Sequence, residues 1–151
     1  MRKRGASYKG KGRVDPLAAF RSAGRQHKLD GSQKLRLGVV LRTHLQALAT
    51  GKADEPTWHN LAGAINTSMV LAEDMEHVEG LYEAVGAAQA AVLQLRENGR
   101  QRGRWLVDGE GLTALKHWLD YYEAQLESVS QQEAMNAIDE VGRRVARGQV
   151  F

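Results

Sequence analysis

The chain has 151 residues, 42 % hydrophobic and 26 % charged, with a formal net charge of +3, which is the size of one domain and enough apolar material for a core. The absence of cysteine excludes a disulfide framework, a thiolate zinc site and a cysteine nucleophile. The longest uncharged apolar stretches, such as Ala87 to Leu95, fall well short of a membrane span, and Asp15 and Pro16 interrupt any apolar region behind the basic start; a soluble, unexported, cytoplasmic protein without membrane partners is the expectation.

Residues 1–14, MRKRGASYKGKGRV, contain six Lys or Arg, three glycines and no acid, a composition unable to bury enough apolar surface to order itself. They read as a basic arm, and residues 15–151 as a single helical domain. Between Pro16 and Leu29 only Leu17, Ala18, Ala19 and Phe20 suggest a helical turn before the Asp30-Gly31 break. Ser32 then caps a helix of about 33–50, in which Leu37, Leu41, Leu45 and Leu48 recur at helical spacing and Gly51 is the stop. Asp54, Glu55 and Pro56 open a second helix with Trp58, Leu61, Ala62, Ile65, Met69 and Ala72 on one face.

A third stripe, Val78, Leu81, Tyr82, Val85, Ala88, Val92 and Leu95, predicts a helix over 78–97 that closes at Asn98-Gly99, with the acids from Glu73 to Glu79 spanning the bend before it. Arg100 to Val107 (RQRGRWLV) reads as a basic loop, and Asp108 to Gly111 as turn residues that start the next helix. Leu112, Leu115, Leu119, Tyr122 and Leu126 form a coiled-coil-like seam, with Trp118 at its edge. Ser130-Gln131-Gln132-Glu133 is a capping box ahead of Ala134, Ile138, Val141 and Val145, and this last helix ends near Arg147. No strand pattern competes, so the expected fold is all-α, a compact bundle of about five helices. Its expected core is Leu37, Leu41, Leu45, Trp58, Leu61, Ile65, Val85, Val92, Leu115, Leu119, Leu126, Ile138 and Val141.

The overall charge conceals a polarity. Residues 1–42 carry twelve Lys or Arg against Asp15 and Asp30, a net of +10, while residues 43–151 carry nine against sixteen acids, a net of −7. A basic segment that meets phosphates releases condensed counterions, and Tyr8 offers a ring for stacking on a base. The candidate nucleic-acid contacts are therefore Arg2, Lys3, Arg4, Tyr8, Lys9, Lys11 and Arg13 of the arm, with Arg100, Arg102, Arg104 and Trp105 of the basic loop, where an aromatic follows three guanidiniums. Each has a bland counterpart: a solvated tail for the arm, and for Trp105 a ring that pins its loop to the core with the arginines in water.

Other chemistry fails on context. Gly5 to Lys11 fits the first seven positions of a phosphate-binding P-loop, but Gly12 stands where magnesium needs a hydroxyl, and four preceding residues leave no strand to deliver the loop. The five histidines share no ligand spacing; Glu73 and His77, four apart, give two ligands where a site needs more. Asp108, Glu110, Asp120 and Glu123 sit beside glycines or on a polar helix face, where nothing tunes a carboxylate for acid–base work. No catalytic residue, metal ligand or cofactor is expected, and the chain does not read as an enzyme.

Three segments carry a resemblance: MRKRGASYKGKGR at 1–13, GKADEPTWHNL at 51–61, and LTALKHWLDYYEAQLESVSQQEAMNAIDEV at 112–141. Together they resemble short accessory proteins, mostly uncharacterised, encoded by tailed bacteriophages and prophages. The resemblance implies a phage context inside a bacterial host cell and transfers no site residue. Two function classes are open at this point. One is an accessory protein that binds nucleic acid or a host nucleoprotein complex through the basic arm. The other is a protein-interaction module that inhibits or regulates a host protein, an anti-defence or host-takeover factor, without touching nucleic acid. No helix shows a recognition face with Arg, Asn or Gln aimed outward between apolar positions.

Overall fold

The structure is a computed structural model and describes residues 31–76 and 78–149. It contains five α-helices: α1 (Gly31–Ala49), α2 (Glu55–Glu73), α3 (Leu81–Arg102), α4 (Gly109–Ser128) and α5 (Gln131–Ala146), and no strand among the described residues. The all-α bundle expected from hydrophobic periodicity is therefore the fold.

Local chemistry sets the helix ends. Asp54 caps α2 by accepting the Thr57 amide at 2.9 Å, and the Thr57 hydroxyl returns to the Asp54 amide, with Pro56 in the first turn, where its missing N–H costs nothing. Asp108 caps α4 through the Gly111 amide at 2.6 Å. Ser130 and Glu133 form the predicted capping box of α5. The third helix departs from expectation at both ends. It begins at Leu81, after a turn closed by the Leu81 amide on the Val78 carbonyl, and it runs through Asn98-Gly99 to Arg102. Its stop is Gly103, in the left-handed region at φ 65°, whose amide reaches the Asn98 and Gly99 carbonyls.

α2 is the central element and touches all four other helices. Leu61, Ile65 and Ser68 on it have no exposed surface, and the core continues through Val85, Val92 and Leu95 of α3 and Leu115 and Leu119 of α4. Trp118, expected at the edge of the seam, is fully buried and stacks on Tyr122 at 5.4 Å, because α4 is packed against α1, α2 and α3 and more than its seam is covered. Burial pushes the Tyr122 phenol well above its ordinary pKa. Leu37 is only partly buried, and Ile138, expected in the core, is 38 % exposed. α5 makes its extensive contacts with α2 alone, so Ala134, Ala137 and Val141 fill the seam while Ile138 and Val145 pass its rim.

Polar links tie the helices across this core. The Gln125 amide of α4 donates to the Ser68 carbonyl of α2 at 3.0 Å and accepts the Ser68 hydroxyl. Arg42 of α1 grips Glu123 of α4 with both oxygens, at 2.8 and 2.9 Å. Arg144 of α5 does the same to Glu73 of α2, at 2.6 and 2.8 Å, and also meets Glu140, which Arg143 holds from the other side.

Leu61→Ala and Leu119→Ala should each cost about 2–5 kcal/mol in urea unfolding, because each leaves a cavity as well as losing transfer energy. Ile138→Ala, at the rim, should cost well under about 1.5 kcal/mol, and equal losses at all three positions would contradict this core. The hydrogen bonds from Arg144 hold the Glu73 carboxyl below its ordinary value of 4.5, and Arg143 and Arg144 hold Glu140 below the same value. A carboxylate whose folded pKa is depressed adds stability above its unfolded pKa and loses it as pH falls through the folded one. Unfolding midpoints should therefore drop below about pH 4.5, and Glu73→Gln should make that acid limb shallower.

Candidate nucleic-acid interface

The last turn of α3 and the connector to α4 form a small, closely bonded unit. Asn98 holds the connector by donating to the Leu106 carbonyl at 2.8 Å, and the Arg104 amide returns to the Asn98 carbonyl. Gln94, one turn earlier, brackets Asp108: its amide donates to the carboxylate and its carbonyl oxygen accepts the Asp108 backbone amide, both at 3.3 Å. The Gly111 amide and Gln94 hold the Asp108 carboxyl below the usual aspartate value.

Trp105 is the keystone of this unit. Its ring lies against Gly99, so near that a Cβ there would come within 2.3 Å of the indole, and glycine is required for the approach. It also stacks on Trp58 of α2, with ring centroids 6.3 Å apart and an interplanar angle of 30°. Gly99, which the sequence pattern marks as a helix stop, is instead a contact surface inside α3. The informative signal was the pair Gly99 and Gly103: only the second is followed by residues that leave the helical pattern.

The arginines fan out around this aromatic pair. Arg100 and Arg102 belong to the final turn of α3 rather than to a loop, where their charge favours the helix C-terminus, and Arg104 follows Gly103. Arg100 sits over the Trp58 ring, its guanidinium carbon 5.5 Å from the centroid, and His59 packs on the same indole at 4.5 Å. Arg96 lies one turn before Arg100. Among the described residues, none of Arg96, Arg100, Arg102 and Arg104 has an ion-pair partner, whereas Arg42, Arg143 and Arg144 each hold a carboxylate. Four acids of the neighbouring segments are engaged locally. Asp54 binds Thr57, Glu55 faces His59 at 3.9 Å, Glu97 accepts from Gln101, and Asp108 caps α4.

The structure thus brings Arg100, Arg102, Arg104 and Trp105 together at one end of the bundle and adds Trp58 and His59, which the sequence reading placed in the core or left unassigned. Trp105 is half-buried and has the anchoring role, with the guanidiniums in water around it. Arg2, Lys3, Arg4, Tyr8, Lys9, Lys11 and Arg13 lie outside the described residues, as does His77. No cluster of three or more potential metal ligands occurs among the described residues, and none of their helices is long and apolar enough to cross a membrane. No family model, curated protein or solved structure matches the chain.

Replacing Gly99 by alanine should force Trp105 off α3, at a cost of about 1–3 kcal/mol for the inserted methyl group. Tryptophan fluorescence should shift to longer wavelength as Trp105 and Trp58 gain water. An unchanged emission maximum and stability would mean that Trp105 does not rest on Gly99.

Proposed function

We propose that this chain is a phage or prophage accessory protein that binds nucleic acid, or a host nucleoprotein complex, through its basic N-terminal arm. Arg100, Arg102 and Arg104 supply a second contact. The observation that carries the reading is the contrast among the arginines. Arg42 of α1 and Arg144 of α5 cross-link helices, while Arg100, Arg102 and Arg104 have no ion-pair partner among the described residues and stand around the Trp58–Trp105 pair. Unpaired guanidiniums on a fixed helix end suit phosphate, which they can grip bidentately, and phosphate contacts position without reading sequence. Trp105 is occupied by Gly99 and Trp58, so in this reading it sets the height of the arginines and Tyr8 is left as the stacking group. The phage setting rests on the three resembling segments.

The second reading is a protein-interaction module acting on a host protein. The net charge of −7 over residues 43–151 favours it, since that body repels a polyanion everywhere but at its basic sites and attracts a basic protein surface.

A salt titration separates the two. With four to six phosphate contacts on duplex DNA, log affinity should fall with log salt at a slope of roughly −4 to −5. Alanine at Arg2, Lys3 and Arg4 together should flatten that slope by about two to three units and weaken all sequences alike. Arg102→Ala with Arg104→Ala is the cleaner probe of the second contact, because Arg100 also packs on Trp58, and it should flatten the slope by about one to two units. Binding of duplex and single strands no tighter than about 10⁻⁴ M at physiological salt would remove the nucleic-acid reading in favour of the protein partner.

A further inference from the structure

At the opposite end of α2 from Trp58, a cleft of about 580 Å³ opens between α2 and α5. Leu71, Met75, Val129 and Ala137 give it an apolar floor, and acids stand around its rim. Most of that charge is already used: Glu73 and Glu140 are held by Arg144 and Arg143, and Glu133 closes the Ser130 amide. Asp74 and Glu76 are different. Both are exposed, and neither has an ion-pair partner among the described residues.

The course of α1 relates this cleft to the basic part of the chain. α1 runs antiparallel along α4, with Gly38 and Arg42 meeting Glu123, and Leu45 and Gln46 sharing a groove with Lys116 and Leu119. Both helices rise by the same amount per residue, so Gly31 comes level with the end of α4, where Ser128 and Val129 line the cleft. The chain that precedes α1 is therefore joined to the bundle at the end that holds the cleft. Those thirty residues carry nine Lys or Arg against two acids. Within them, Leu17-Ala18-Ala19-Phe20 is followed by Arg21, Arg25 and Lys28, an apolar anchor with cations behind it. Ten residues between Phe20 and α1 span up to about 33 Å when extended, which is enough to pass across neighbouring helices spaced about 8–10 Å apart.

We propose that residues 17–28 of this chain dock in the cleft between α2 and α5, with Phe20 on its apolar floor and Arg21, Arg25 and Lys28 facing Asp74 and Glu76. The docking sets Arg21, Arg25 and Lys28 against the acidic body. A polyanion that recruits Arg21, Arg25 and Lys28 competes with the cleft for them, so the cleft lowers affinity for phosphate until the segment is drawn off. That regulatory consequence rests on the nucleic-acid reading; the docking itself does not.

Because the chain has no cysteine, a single nitroxide can be placed at the cleft rim on an Asn136→Cys variant of the full-length protein, with no nucleic acid present. Amide signals of residues 17–28 should lose more than about half their intensity at about 50 mM salt and regain it at about 1 M, where the Debye length shrinks to about 3 Å. The same label on Arg102→Cys, at the other end of the bundle, should leave them sharp. Adding Asp74→Asn and Glu76→Gln to the Asn136→Cys protein, both at exposed positions, should cut the broadening at least about threefold with the helical circular dichroism unchanged. Equal broadening from both labels, no broadening from the cleft label, no response to the two neutralising substitutions, or broadening that grows with protein concentration as a second copy's segment requires, would each overturn the proposal.

Discussion

α2 touches all four other helices, and the polar groups that this contact takes out of water govern the bundle. Thr57, Asn66, Thr67 and Ser68 are all buried on it. An unmade hydrogen bond in such a place costs about 1–3 kcal/mol, and Thr57, Thr67 and Ser68 each find a partner inside the protein. Thr57 finds Asp54 and so starts the helix; Thr67 turns back to the Gly63 carbonyl at 2.8 Å. Ser68 instead reaches across to Gln125 and fixes the height of α4 against α2. Leucines along a seam can slide by a turn at modest loss, whereas Ser68 and Gln125 satisfy each other in only one register.

That register sets what lies at the two ends. With α4 fixed against α2, the short connector from α3 must close over the start of α2, and Trp105 is brought onto Trp58 and Gly99. The arginines at the end of α3 then surround a packed indole pair, which in the proposed reading spares some of the side-chain entropy that a phosphate contact from a free loop would lose. At the other end, α5 is held to α2 by Ala134 and Ala137 and by the Arg144–Glu73–Glu140 cluster, but α5 and the loop after α2 do not close on each other, and the cleft remains. Among the described residues, one end thus presents cations without ion-pair partners and the other an apolar floor with two acids that have none.

The fold was legible because its signals are local and repeated. The α2 and α5 caps could be read from Asp54, Pro56, Ser130 and Glu133, where one side chain satisfies an amide three residues on, and the leucine stripes located four of the five buried faces. What was not legible depended on neighbours. Trp118, read at the edge of its stripe, is fully buried, and Ile138, read within its own, is 38 % exposed, because α4 has three packed neighbours and α5 chiefly one. Gly99 looks like a stop in sequence and is a bearing surface in space, a distinction that needs Trp105 to be seen lying on it. The cleft left no trace in the sequence at all, since its walls come from α2, α5 and the turn between α4 and α5. The basic arm was legible as composition alone, and its cations could be counted but not placed.

The central claim is that the arm cations and the guanidiniums at the end of α3 bind phosphate. The most direct measurement is the content of the full-length protein taken from bacterial cells at low salt. The account predicts ultraviolet absorbance and nuclease-digestible material in excess of the protein's own, released when salt is raised, and retained poorly by a protein lacking the arm cations and the α3 guanidiniums. Protein free of nucleic acid at low salt, accompanied by one stoichiometric host polypeptide that survives nuclease treatment, would contradict it.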